Sequence, residues 1–392
     1  VRARVGAIIL TVVLATLVAV TAAWASPASQ AKASKAQAGV FTCKKGVTIG
    51  AMAAVTGQGA SQGVDQMHWV EFFVDNWNKT HKLKLKLIQG DTQLDPSKAS
   101  VVAQSFASAS RMVGIVGPAS SSETVAIEPI LQAAGGPALV SASATRVTLT
   151  DGHLKGYFWR VVPNDGVQGP TDASFMMSKL GVGSGDKVMI VDDQESYSLG
   201  LTQIVQPLLT AKGVNVDHES ISQTQTDFSS LIAKVSSSTK VVYLPFQLAA
   251  QTQLFAQQLK EQGKSAIAFG TDGSFDISKF NVEGSYASFF APNVTTIAAD
   301  RKITKSFLSK YVGETNPFGA PAYVGAQVIA AAITTACKDG KISRAEVRKD
   351  IPKVKFKSTI LGGPFSFTAN GDVNNAAFGV FKIVGGKFVT VG

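Results

Sequence analysis

From Val47 onward, short runs of apolar and β-branched residues alternate with longer stretches whose apolar positions recur every three or four residues. The short runs are VTIGAM (47–52), LKLKLIQG (83–90), VGIVG (113–117), PALVS (137–141), KVMIVDD (187–193), KVVYLPF (240–246) and SAIAFG (265–270). Their length and composition predict strands. Between them, Trp69, Phe72, Phe73 and Trp77 share one helical face after the first strand, and Leu254, Phe255 and Leu259 do so after the sixth. Such stripes face a core. Strands separated by helices predict parallel sheets with right-handed crossovers, so the fold class is α/β, doubly wound. Near the C-terminus the rhythm changes. PFSFTANGDV (364–373) and FGVFKIVGGKFVTVG (378–392) read as antiparallel strands turning at Asn370-Gly371 and Gly385-Gly386.

Polar, small and aromatic residues gather just after the strands, in TGQGASQG, GDTQLD, PASSSET, SASAT, DDQESYS, PFQ and GTDG. Ligands of open α/β sheets bind at the carboxyl ends of strands, which points the chemistry at one edge of each sheet. In GIVGPASSSETVAI (114–127) three serines stand where a strand ends and a helix begins. Two readings are open: a helix cap with spare hydroxyls, or a seat for a carboxylate or phosphate at the helix N-terminus. TGQGASQG is one residue off the dinucleotide fingerprint, and its glycines suit a close approach of the loop to a neighbour. Ser121 is no nucleophile elbow, because Ala119 and Glu123 flank it where that motif needs glycines.

Composition narrows the classes. A length of 392 residues suits two domains, and 45% hydrophobic residues can build real cores. The net charge is +10, or +8 without Arg2 and Arg4. The KLKLKL stretch (82–87) alternates as a strand with one solvated face, and no clustered Arg–aromatic motif supports nucleic-acid binding. Arg2 and Arg4 precede an uncharged run, Val5–Ala25, that ends in Ala23-Trp24-Ala25. This reads as an export signal over 1–25, with an uncleaved anchor as the alternative. Residues 26–39 are low in complexity and read as a flexible tether. The chain is thus expected outside the cytoplasm, in the periplasm or at the cell surface. Cys43 and Cys337, an even count in an exported chain, suggest a disulfide. His68, His81, His153 and His218 lack ligand spacing, so neither a metal site nor a cofactor is expected.

The order of the motifs resembles the leucine/isoleucine/valine-binding protein family, the type I periplasmic solute-binding proteins of ABC transporters. GAMAAVTGQGASQG, GDTQLDPSKA, IVGPASSSET, SASATRVTLT, FWRVVPNDGVQG, IVDDQESYSLG, FGTDG and GPFSFTANGDV follow the family's sequence from about Val47 to the C-terminus. The resemblance implies two α/β lobes joined by three crossovers, near Val162–Asn164, Ser288–Pro292 and Gly362–Pro364. Lobe 1 is then 40–163 with 291–362, and lobe 2 is 164–290 with 363–392. Cys43 and Cys337 fall in the same lobe, as a bridge requires, although the family itself does not imply that pair.

Carried over by position, Ser121 matches the serine that binds the ligand's α-carboxylate, and Ser143 and Thr145 match positions that hold both carboxylate and ammonium. Tyr197 matches a tyrosine of the second lobe, and Asp272 the acid that pairs with the ammonium. Three departures are visible. The acid is Asp where the family often has Glu, the first loop has Gln62 and Gly63 where an aromatic often stands, and Arg146 follows Thr145 directly. The resemblance implies a monomeric, non-enzymatic receptor that delivers an α-amino acid, branched-chain or other, to the membrane subunits of an ABC permease. Alternatives within the fold are an amide, a urea compound or an aromatic acid as solute, or a ligand sensor.

Overall fold

The computed structural model describes residues 39–392 apart from 153, 155, 314, 315 and 376. The expected export signal (1–25) and all of the tether but its last residue lie outside the described residues. Two mainly parallel sheets carry the fold. The first contains β1 (Val47–Ala53), β2 (Leu85–Asp91), β3 (Met112–Val116), β4 (Ala138–Ser141) and β5 (Phe158–Arg160), in the order β2-β1-β3-β4-β5. The second contains β6 (Lys187–Asp192), β7 (Asn215–Ser220), β8 (Thr239–Leu244), β9 (Ile267–Gly270) and β10 (Tyr286–Phe289). Its parallel part runs β7-β6-β8-β9-β10, which repeats the order of the first sheet. An antiparallel hairpin, β11 (Gly379–Val384) and β12 (Lys387–Thr390), extends the β10 edge. Its turn is Gly385-Gly386, both at positive φ, the backbone that a two-residue hairpin of this kind needs.

All seven strands expected from the pattern are present, with ends shifted by one or two residues. The expected antiparallel pairing near the C-terminus is also present. Three further strands of the two main sheets, β5, β7 and β10, were not expected. β5 and β10 are only three and four residues long. β7 reads NVDHES and lies at a sheet edge with little of it buried, so no apolar run marks it. The Lys-Leu alternation becomes edge strand β2, with Leu85 buried and Lys86 exposed. Lysine on an edge also discourages further strand pairing.

Helices cover both faces of each sheet. α1 (Ala60–Thr80) follows β1, α2 (Pro96–Ser108) follows β2 and α3 (Ser121–Ala133) follows β3. Trp69, Phe72 and Phe73 of α1 are buried in the core, as the stripe predicts. α1 lies close to the first strand because Gly63 has no side chain. A Cβ there would stand 2.0 Å from the Ala54 carbonyl oxygen. In the second half, α4 (Asp165–Ser178) and α5 (Ser196–Thr210) pack on one face, and α6 (Ser229–Lys234) and α7 (Ala249–Glu261) serve the other.

After β10 the chain returns to the first sheet through α8 (Arg301–Lys310) and α9 (Gly319–Ala336), followed by α10 (Arg344–Asp350). α9 is apolar nearly all round and packs beside α1 against β3 and β4, the expected place for such a helix. Residues Phe365–Ser366 then pair with Lys355–Phe356. Beyond them, the Gly371 carbonyl accepts from Arg160 N at 3.0 Å, and the Arg160 guanidinium is 2.6 Å from the Asp372 carboxylate. This stretch is therefore bonded to the end of the first sheet before the chain enters β11.

Cys43 and Cys337 are joined by a disulfide, with 6.1 Å between their Cα atoms and a sequence separation of 294. Alongside it, Phe41–Thr42 pairs with Lys341–Ile342. Closing so long a loop restricts the unfolded chain, with an expected stabilisation of roughly 3–5 kcal/mol. Thiol titration of the unfolded, unreduced protein should therefore find no free thiol, and reduction should lower the melting temperature. Two titratable thiols without reductant would disprove the bond.

Candidate functional site

The three serines at the end of β3 have three different tasks. Ser120 is the N-cap of α3, and its hydroxyl accepts from Glu123 N while the Glu123 carboxylate accepts from Ser120 N at 2.8 Å. This reciprocal pair is a capping box. Ser121 begins the helix, is buried, and accepts from Arg146 N at 3.2 Å. Ser122 reaches the other half of the molecule, where its hydroxyl donates to the Glu195 carboxylate and accepts from Ser196 N. The cap reading and the anion-seat reading thus apply to neighbouring residues.

Ser121, Ser143, Tyr197 and Asp272 line one cavity, together with Gln62, Leu94, Ala119, Gln247, Gly273 and Phe318. Nearly all of these follow the carboxyl ends of strands, and they come from both sheets. Thr145 is buried just behind them: its carbonyl accepts from Asp165 N at 2.9 Å, and its hydroxyl lies beside the Asp165 carboxyl. The structure therefore brings four of the five expected residues to the cavity wall and sets the fifth one layer back. The Ser143 hydroxyl is already engaged, donating to the Ala119 carbonyl at 2.7 Å and accepting from Gln66 Nε2 at 2.8 Å.

Opposite Ser121, the Asp272 carboxylate accepts from the Tyr197 hydroxyl and from Gln168 Nε2, the latter at 2.7 Å. Gln168 also donates to the Ser288 hydroxyl, which in turn donates to Asp172. Gln168 is an interior residue of α4 and lies in the stretch FWRVVPNDGVQG, although no role was attached to it. Phe318 was missed too, since it precedes α9 and meets the cavity only after the chain has returned to the first sheet. Gln247 had a signal in the strand-end PFQ, although no role was attached to it.

Burial dominates the electrostatics. Asp272 is pushed up to about 6 by burial, opposed by the bonds from Tyr197 and Gln168. Asp165 is pushed up to about 8 by burial and then by the charge of Asp272, against the Thr145 hydroxyl and the cations Arg160 and Arg146. Asp172 is raised by burial as well, although Tyr243 and Ser288 donate to it. At neutral pH, Asp272 is then mostly ionised while Asp165 is mostly protonated. One negative charge faces the cavity from the second half, and from the first half the N-terminal end of α3 faces it with its partial positive charge.

The halves touch around this space. Gln62 Nε2 donates to the Gly273 carbonyl at 3.0 Å, and the Arg146 guanidinium donates to the Ser196 carbonyl and hydroxyl at 2.8 and 2.6 Å. Gly273 itself packs tightly on the loop after β8, where a Cβ would stand 2.3 Å from the Phe246 carbonyl oxygen. The cavity is about 10 Å³, room for about one water molecule. A solute larger than water does not fit the cavity at this size.

The raised carboxyls make stability depend on pH. Unfolded, each would titrate near 3.8; folded, Asp272 and Asp165 hold their protons to about 6 and about 8. Between those limits the folded chain binds more protons than the unfolded one, so these groups lower stability as pH rises from about 4 to about 8. Melting of the ligand-free protein should therefore fall by roughly 5 °C or more from pH 6 to pH 8.5, where about 2–4 °C corresponds to 1 kcal/mol. Asp165→Asn should flatten that fall. An unchanged pH profile in the variant would show that Asp165 is ionised throughout.

Comparison with known proteins adds a family. Residues 46–387 match the sequence profile described as periplasmic binding protein. The chain is 25% identical over 354 residues to the Leu/Ile/Val-binding protein homolog 3 of Brucella melitensis biotype 1, covering 88% of this chain and 93% of that protein. A leucine binding protein from Thermotoga maritima superposes with a TM-score of 0.79 at 20% identity, over 88% of this chain and 98% of that one. A solute binding protein from R. palustris, solved in complex with benzoate, superposes with a TM-score of 0.76 at 18% identity, over 88% and 96%.

Proposed function

The chain belongs to the periplasmic binding protein family, and on that premise we propose that it is a non-enzymatic, exported receptor that closes over an α-amino acid and delivers it to an ABC permease. The observation that carries this reading is the pairing of opposite seats across one cavity, Ser121 at the start of α3 and Asp272 held by Tyr197 and Gln168. A zwitterion leaving water needs a partner for each charge, and these seats supply one of each. Ser121 and the first amides of α3 receive the carboxylate. Asp272 receives the ammonium. Thr145 supports the first seat from behind with its buried hydroxyl.

The moving parts are lobe 1, residues 40–163 with 291–372, and lobe 2, residues 164–290 with 373–392, so the last crossover falls beyond the expected Gly362–Pro364. The bonds from Arg160 to Gly371 and Asp372 hold the start of the last segment against lobe 1, so the final crossover bends beyond Asp372. Direct bonds between Arg146 and Ser196, and between Gln62 and Gly273, latch the closed form. The side chain of the amino acid would lie among Leu94, Ala119 and Phe318. Leucine is the first solute to try, because a relative and a structural neighbour are named for branched-chain amino acids. The benzoate complex of the R. palustris protein favours an aromatic acid as the second reading. Asp272 opposes it, because an ionised carboxylate would face a bare anion.

The first test is mass spectrometry of the solute released from purified protein, followed by titration calorimetry with that solute. An amino acid should bind with about 2–5 kcal/mol less affinity in Asp272→Ala and about 1.5–3 kcal/mol less in Ser121→Ala. Its deaminated analogue should bind wild type poorly and recover in Asp272→Asn. Equal weakening of both ligands by Asp272→Asn would remove Asp272 as the ammonium partner.

Affinity for the amino acid should also fall below pH 6, by about tenfold per pH unit, as Asp272 takes up a proton. Small-angle scattering should show a smaller radius of gyration at saturation. An unchanged radius would count against closure of the lobes.

A further inference from the structure

A second cavity, of about 750 Å³, lies apart from the one between Ser121 and Asp272. Two stacked aromatic pairs contribute to its walls. Trp69 of α1 stacks on Phe307 of α8 with ring centroids 3.8 Å apart, and Phe275 stacks on Phe388 of β12 at 4.0 Å. The lining is mainly apolar, and the size falls in the range of small-molecule sites, roughly 300–1,000 Å³. Gln62 and Gly273, bonded to each other, line the first cavity, while the neighbouring Ser61 and Phe275 line the second.

One side chain in this lining is out of keeping with the rest. Asp276 is 5% exposed, and its Oδ1 accepts from Ser278 N and Oγ at 2.9 and 2.6 Å. Its Oδ2 is buried with no hydrogen-bond partner among the described residues. A buried carboxylate oxygen without a donor costs free energy that a cation beside it would remove. Asp65 and the solvent-exposed Lys387 also line this space. The buried, unpartnered oxygen of Asp276 beside apolar walls suits an amine and disfavours a carboxylic acid.

We propose that this cavity is a second ligand site for a small amphipathic amine, its ammonium on Asp276 and its hydrocarbon body between the Trp69–Phe307 and Phe275–Phe388 walls. Aromatic faces beside the ammonium add cation–π attraction. The walls belong to different halves of the molecule: Trp69 and Phe307 sit with α1 and α8, and Phe275 and Phe388 with the second sheet. An amine held there spans both halves, so its binding is coupled to their relative position.

The test is calorimetric titration of the full chain with n-hexylamine and, separately, n-hexanoate. Hexylamine should bind wild type at one saturable site, with at least tenfold weaker binding in Asp276→Asn and unchanged binding in Asp272→Asn. Hexanoate should not bind at that site. Because Asp276 also bonds the turn at Ser278, Leu308→Trp provides a second variant. It fills the cavity without touching Asp276 and should weaken hexylamine to a similar degree. Absence of saturable binding overturns the proposal. So does loss of hexylamine binding in Asp272→Asn, which would put the amine in the first cavity. Equal binding of hexanoate and hexylamine, unaffected by Asp276→Asn, would reduce the cavity to apolar partition and overturn it as well.

Discussion

A parallel sheet has a polarity that an antiparallel sheet lacks, and this constraint organises the molecule. All its strands end on one edge, where loops lead into helix N-termini and amide groups point outward. Here two sheets with the same strand order, 2-1-3-4-5 in each parallel part, set residues from those edges around one cavity. Each edge alone offers half a site. The first supplies hydroxyls and helix amides, and the second supplies a carboxylate, so the proposed recognition of a zwitterion draws on both sheets at once.

Desolvation then decides what the acids do. Asp165, Asp172 and Asp272 are all buried within one polar network, and burial is the largest influence on each. Three ionised carboxylates there would repel one another. The network resolves this by keeping two of the three protonated at neutral pH. Asp272, which accepts from Tyr197 and Gln168, gives up its proton first, whereas burial holds Asp165 protonated to about 8 and raises Asp172 well above the usual carboxylate range. The acid nearest the cavity is therefore the one that can carry charge at neutral pH.

Much of this was legible in the sequence, for a physical reason. Ser121, Ser143, Tyr197 and Asp272 each follow a strand at a fixed short distance, so the local motif places them on the edge without knowledge of the rest of the fold. The Trp69–Phe73 stripe was legible because an amphipathic helix writes its period into the chain. Gln168 and Phe318 were not legible, since their positions depend on contacts made across more than 100 residues. Strand β7 was hidden because an exposed edge strand needs no apolar residues. Thr145 shows the limit of position matching: the motif put it near the site, but the backbone set its side chain one layer behind the wall.

The Cys43–Cys337 bond also has a mechanical meaning. It lies a few residues inside the described N-terminal end and joins the chain there to the far end of α9, a helix packed in the first half. A pull applied through the preceding segment reaches Cys43 and passes covalently into that helix rather than unzipping β1 from the sheet.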